Sequence, residues 1–246
     1  MLILAVDTST RTGSLAVVSD GNVFNLSPIP QDAPSSSSLF TQLKLILAET
    51  GYSMPQFDVF TVCAGPGSFT GLRVGLTAVK AWAEVYQRPI AAVSGLQAIA
   101  AKGLQSVCQS TQNVTRLVAA FFSAGRGQVY GSAYTHGKDQ LCSVGDEMVL
   151  APRDFLNFLG TQGTHSDVTL FSTTPSALDE VRRESVFAGT KVQAVSESLA
   201  GSIGLLGYKQ ALRDELVDAY ALDANYVRRC DAELSWADRP NKVTGG

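Results

Sequence analysis

The chain has 246 residues, 45% of them apolar and 17% charged, with 19 lysines and arginines against 22 aspartates and glutamates and a formal net charge of −3. Such a composition suits one or two globular domains with a real core and excludes a disordered chain. No basic run exceeds Arg182-Arg183 or Arg228-Arg229, which argues against a chain that grips nucleic acid by itself.

At the amino terminus, "MLILAV" has no basic residue before it and meets Asp7 at once, so it reads as a buried strand rather than a signal peptide. No apolar run approaches the roughly 20 residues that a membrane span needs. Strands are expected over 2–8, 13–21 and 22–29, with Asp20-Gly21 as a hairpin signal. A Pro-Ser-rich stretch then leads into a helix over 35–50, where Leu39, Leu43, Ile46 and Leu47 keep helical spacing until Gly51. Strand 58–65, helix 68–87, strand 89–95 and a short helix from Leu96 complete an amino-terminal lobe over 1–106.

The remainder, 107–246, repeats the order. Two strands joined by a Gly-rich turn fill 116–137, and "CSVGDEMVLA" (142–151) supplies a third. Helix 152–160, strand 168–173, helix 176–185, strand 191–196 and a long helix over 197–213 follow, and the carboxy-terminal helix and tail are expected to return toward the first lobe. The offset between the halves is about 115 residues, which predicts an α/β fold of two related lobes with mixed sheets. The cysteines, Cys63, Cys108, Cys142 and Cys230, are scattered and form no CxxC pair. They fit reduced thiols in a cytoplasmic protein better than a disulfide or zinc framework.

The most constrained stretch is "CAGPGSFTGLRVG", residues 63–75. A strand, a Gly-Pro-Gly turn and a helix capped by Ser68 or Thr70 form a place where anions bind, or simply a structural turn. Neither the GxxxxGK[ST] loop nor the GxGxxG spacing is present. Along the helix, Gly71, Gly75, Ala78 and Ala81 run beside an apolar stripe of Leu72, Leu76 and Val79. Small residues at these steps admit a close neighbour, either within the fold or on a partner helix. Asp7, followed by Thr8, Ser9 and Thr10, could hold a magnesium–phosphate group or cap its own turn. The two histidines, His136 and His165, form no HxxxH pair, so no metal site is expected. Ser202 in "AGSIG" lies in a helical pattern with both histidines before it, contrary to a serine-hydrolase order.

"LAVDTSTRTGSLAVV", "GPGSFTGLRVGL", "VSGLQAIA", "GQVY" and "NYVRR" occur in an order that resembles the bacterial TsaB family of tRNA threonylcarbamoyladenosine biosynthesis proteins. The resemblance covers about residues 1–230. It implies a two-lobed actin, Hsp70 and sugar-kinase-like (ribonuclease H-like) fold, with mixed sheets flanked by helices and a reduced second lobe, in a group once classed with M22 glycoproteases. It also implies a non-catalytic subunit that pairs with a catalytic paralogue, TsaD, and works with TsaE to place threonylcarbamoyl on the tRNA adenosine 3′ of the anticodon. Pairing in the family uses the first two helices, here 35–50 and 68–87. The interface candidates are therefore Leu39, Leu43, Gly71, Leu72, Gly75, Leu76 and Val79, and Gly75→Trp is expected to block pairing while the monomer stays folded. The same surface is expected to make a homodimer when the paralogue is absent, and tRNA to be met only through the complex.

In the TsaD-like paralogue, the strand matching "IAAVSG" precedes a metal-binding HxxxH; Gly95 and Ile99 stand at those positions here. The resemblance thus implies no metal, no catalytic residue and no cofactor required by this chain, with ATP–Mg at most at the interface of the complex. Asp7, Thr8 and Ser9 are kept as candidate ligand contacts. In the second lobe, Ser123, Gly125 and Gln128 replace the Asp, Arg and Glu of "DARRGEVY", and "STTP" (172–175) stands where a glycine-rich adenosine turn is expected. The alternative is an autonomous ATP-dependent or M22-peptidase-like enzyme of the same fold.

Overall fold

A computed structural model describes residues 1–30, 35–107, 116–137, 140–163 and 168–228. Cys108, Cys230, His165, Arg229 and the final tail lie outside the described residues. Strand β1 (Leu2–Asp7) is buried along nearly its whole length because it runs through the middle of a five-stranded sheet. It pairs antiparallel with β2 (Ser14–Ser19), which pairs antiparallel with β3 (Asn22–Pro28). The register between β2 and β3 slips at Phe24, leaving a bulge in the edge strand. Helix α1 (Ser35–Thr50) leads to β4 (Val59–Gly65), α2 (Phe69–Tyr86), β5 (Ile90–Ser94) and α3 (Gly95–Val107). Strands β1, β4 and β5 are parallel, and the sheet order is β3-β2-β1-β4-β5.

The second lobe has the same plan. β6 (Arg116–Gly125) and β7 (Gln128–Gly137) are antiparallel, and β8 (Gln140–Ser143) pairs with β7. β9 (Met148–Leu150), α4 (Pro152–Gln162), β10 (Val168–Ser172), α5 (Asp179–Arg183), β11 (Val192–Ala194) and α6 (Ala200–Leu212) follow. Strands β10 and β11 run parallel to β6, so the order β8-β7-β6-β10-β11 repeats that of the first sheet with the same polarity. The fold is two mixed sheets, each flanked by helices.

Three local expectations change. The single strand over 142–151 is two short ones, because Gly145 turns the chain at φ +84° between them. The helix over 176–185 is a 3₁₀ turn at Pro175–Leu178 followed by the five residues of α5. The last helix begins at Ala200 rather than 197, since the Glu197 and Ser198 backbones are engaged by Thr10 and Lys102. That helix lies on the first sheet, packed against β1, β2, β4 and β5. The amide at its start, on Ala200, donates 3.0 Å to the buried Ser14 hydroxyl on β2, a cap supplied from the far end of the chain.

Phe57, Phe60 and Trp82 fill the core between the first sheet and α1–α2, with Phe60 and Trp82 centroids 6.0 Å apart. A second core gathers Phe121, Phe155, Leu159, Leu170 and Phe187 in the other lobe. Each such side chain contributes about 2–3 kcal/mol by leaving water. Helix α3 touches strands of both sheets and joins the cores.

Candidate functional site

Strands β1 and β4 end side by side, and their turns carry the two amino-terminal motifs. Asp7, at the end of β1, is wholly buried. One of its carboxylate oxygens accepts from the Ser9 amide (2.9 Å) and the Ser9 hydroxyl (2.6 Å), and the other takes the Thr10 hydroxyl at 3.5 Å. Burial raises its pKa to about 6, against the pull of those donors. The Thr8 hydroxyl donates 2.7 Å to the carbonyl of Gly71. Asp7 and Ser9 are thus bonded to each other and Thr8 to α2, while Ser9 also lines the cleft between the lobes. Asp7 presents no surface to a ligand, and the capping alternative is the one that the geometry supports.

The glycines of 63–75 explain the closeness. A Cβ on Gly67 would stand 2.6 Å from Ser9 Cβ, and one on Gly71 would stand 1.9 Å from the Thr8 carbonyl oxygen. At Gly75 it would meet Thr8 Oγ1 at 2.4 Å. Helix α2, with Ser68 accepting from the Gly71 amide at 3.3 Å as its cap, is pressed onto the β1 turn. This corrects the reading of Gly71 and Gly75 as a groove for a partner helix. Gly75→Trp would strike Thr8 inside its own lobe.

Between the lobes lies a cleft of about 1070 Å³. The segment after α6 crosses it. Val217 bridges Ile90 on β5, and the Asn225 amide donates 2.7 Å to the carbonyl of Ala64, where the register of β4 against β5 slips. Tyr226 packs on Phe69 with centroids 5.2 Å apart, its hydroxyl accepts from Arg73 Nε at 3.3 Å, and Arg73 lies 3.8 Å over the Phe69 ring. Arg228 donates 2.7 Å to the carbonyl of Ala124, where β6 slips against β7, and also to Gln128. The "STTP" turn closes the far wall, with Thr174 accepting from the Ser123 amide at 2.7 Å. "GPGSFTGLRVG", "GQVY" and "NYVR" (225–228), far apart in sequence, therefore meet at one place. Sequence reasoning treated Asn225, Tyr226 and Arg228 as a signature without a task; Glu147, which binds Asn225 and Ser94, carried no signal at all.

Other candidate chemistry disperses. Among the described residues, no group of three or more His, Cys, Asp and Glu side chains could hold a metal ion. Gly95 opens α3 where a Cβ would meet Cys63 Sγ at 3.2 Å and the Pro66 carbonyl at 3.3 Å, and Ile99 is in the core. Burial pushes the Cys63 thiol up to about 12, which leaves it inert at neutral pH. His136 lines a separate hollow, and Ser202 is buried in α6. Among the described residues no helix is long and apolar enough to cross a membrane.

The predicted interface side chains face inward. Leu39, Leu43, Leu72, Leu76 and Val79 are 0%, 7%, 2%, 6% and 0% exposed, and all belong to the first core. The helical spacing that singled them out marks the buried stripe of each helix. On the outer face stand Phe40 and Lys44 of α1 with Val74, Thr77, Ala81 and Val85 of α2. Phe40 and Val85 are 48% and 71% exposed. Phe40 rests edge-on against Trp82, which ties the two helices into one surface.

Residues 32–225 match the family model described as TsaD, tRNA N6-adenosine threonylcarbamoyltransferase. The chain belongs to this family. Within it, the chain is similar to TsaB proteins: the tRNA threonylcarbamoyladenosine biosynthesis protein TsaB of Bacillus subtilis (strain 168) is 27% identical over 243 residues, 97% of this chain and 99% of that protein. The solved structure of YeaZ from Pseudomonas aeruginosa is 25% identical and superimposes with a TM-score of 0.74, covering 92% of this chain and 99% of that one. The activator of the 2-hydroxyisocaproyl-CoA dehydratase from Clostridium difficile, solved with bound ADPNP, shares the fold alone, at 8% identity and a TM-score of 0.50 over 87% of this chain and 97% of that one.

Proposed function

We propose that the chain is a non-catalytic subunit of the machinery that adds threonylcarbamoyl to the tRNA adenosine 3′ of the anticodon, and that it pairs with a TsaD-like catalytic paralogue through the outer faces of α1 and α2. Family membership supports the link to tRNA threonylcarbamoyladenosine biosynthesis. The observation that carries the non-catalytic reading is the start of α3. There, Gly95 is closed in by Cys63 and Pro66, and Ile99 is buried, so the fold leaves no room for an imidazole pair. The sealed carboxylate of Asp7 supports the same reading. The pairing reading rests on the exposed stripe of Phe40, Thr77, Ala81 and Val85, with half-buried Val74 beside it. Without the paralogue, this face pairs two copies; a TsaE-like ATPase joins the pair, any ATP–Mg sits at the interface, and tRNA is met only by the complex.

Co-elution with the TsaD-like paralogue tests this, followed by modification of tRNA transcripts with and without the chain. Ala81→Arg, on the exposed face, is expected to abolish co-elution while the circular dichroism spectrum and Tm stay as in the wild type. Full modification by the paralogue alone would overturn the scaffold role. ATP or peptide hydrolysis by the isolated chain, lost in Asp7→Ala, would establish the autonomous enzyme instead.

A further inference from the structure

Glu147 lies between β8 and β9 of the second lobe, and each of its oxygens is held by a different part of the molecule. One accepts from the Ser94 hydroxyl at the start of α3, which itself accepts from the Gln97 amide at 3.1 Å. The other accepts from Asn225 Nδ2 at 2.6 Å. Asn225 is fixed in turn to the Ala64 carbonyl, and the next residue, Tyr226, covers Phe69 and binds Arg73 in the first turn of α2. The carboxylate is mostly buried, and among the described residues no lysine or arginine pairs with it. The buried Tyr134 hydroxyl faces the Ser132 and Ser94 hydroxyls and the Glu147 carboxylate. A buried carboxylate without a cation is costly, and it persists where its hydrogen bonds fix an arrangement.

We propose that Glu147 is a positioning residue: it clasps both lobes to the crossing segment 223–228 and thereby orders the amino-terminal turn of α2. This stands apart from the pairing reading, because its consequence is read on the isolated chain. Removing the clasp frees Asn225 from the second lobe, and Tyr226 then loses its fixed seat on Phe69 and Arg73. Arg228 remains bound to Ala124, so the loosening is confined to the middle of the segment.

Amide hydrogen exchange on the full chain is the test. Glu147→Ala is expected to speed exchange about tenfold in peptides covering 69–73 and 223–227, with β6 and β10 unchanged. Glu147→Gln, which can accept from Ser94 and donate to the Asn225 side-chain oxygen after an amide flip, should stay within about twofold of the wild type. Asn225→Ala should match Glu147→Ala, and the double variant should exchange no faster than either single one. Unchanged exchange at 69–73 in either alanine variant, or additive effects in the double, would overturn the proposal. If Glu147→Ala fails to fold, Asn225→Ala at an exposed position carries the same comparison.

Discussion

Gly71→Ala puts the close approach of α2 to the β1 turn to a direct test. The added methyl would sit 1.9 Å from the Thr8 carbonyl oxygen and 3.1 Å from its carbonyl carbon, both backbone atoms of a buried turn. Restoring an ordinary contact of about 3.4 Å moves α2 away from β1 by about 1.5 Å. That shift breaks the bond from the Thr8 hydroxyl to the Gly71 carbonyl and leaves two buried polar groups short of a partner, at about 1–3 kcal/mol. Overpacking adds about 1–3 kcal/mol, and the better helix propensity of alanine returns about 1 kcal/mol. The net loss is about 3 kcal/mol, or roughly 6–12 °C in Tm for a chain of this size. Thermal melts followed by circular dichroism measure it. Gly75→Ala is the comparison: its methyl meets Thr8 Oγ1 at 2.4 Å, and rotation of that side chain relieves the clash without moving the backbone, at the cost of its bond to the Gly71 carbonyl. The expected loss there is about 1 kcal/mol, the broken bond less the propensity gain and without the overpacking of Gly71→Ala. A Gly71→Ala protein as stable as the wild type, or no less stable than Gly75→Ala, would refute the claim that these glycines seat α2 on its own lobe.

Asp7→Asn keeps an acceptor for Ser9 and removes a buried charge. The folded-state pKa of about 6 stands above the ordinary aspartate value of about 4, so Asp7 favours the folded state below about pH 4, and this is lost as pH rises through 6. Asp7→Asn should therefore match the wild type near pH 4 and exceed it by up to about 3 kcal/mol at pH 7.5 in urea titrations; a wild type that is the more stable at pH 7.5 would contradict this. Ser14→Ala removes the distant cap of α6 and should cost about 1–2 kcal/mol in the same titration, with exchange at Ala200 rising. Arg228→Ala should expose the 123–128 hairpin to limited proteolysis before the rest of the chain, because the Arg228 side chain bonds the carbonyl of Ala124 where the ladder slips.

Periodicity carried most of the fold. The unbroken apolar runs of β1 and β2, the Asp-Gly turn and the helical spacing of α1 and α2 are local patterns, and local chemistry decides them. Boundaries failed where distant residues intervene: α6 starts late because its first amides and carbonyls answer to Ser14, Thr10 and Lys102. The candidate site failed for a related reason. Leu72, Leu76 and Val79 form a clean apolar stripe, but a stripe shows which side of a helix is buried, not which side meets a partner. The glycines of α2 were correctly marked as a place of close approach, yet only the topology shows that the approaching group is Thr8. Glu147 could not be found at all, since a lone glutamate in a loop has no pattern until β5 and the crossing segment are brought to it.

An unpaired strand edge is an invitation to add more strands, and the first sheet has closed both of its ends by different means. At β5 the Val217 backbone occupies the ladder by bonding Ile90 in both directions. At β3 the bulge at Phe24 and the proline at position 28 disturb the hydrogen-bonding row that a second chain would need. Growth of this sheet into a polymer is thereby discouraged, and its contacts with other chains are left to helices, whose outer faces can be matched one partner at a time.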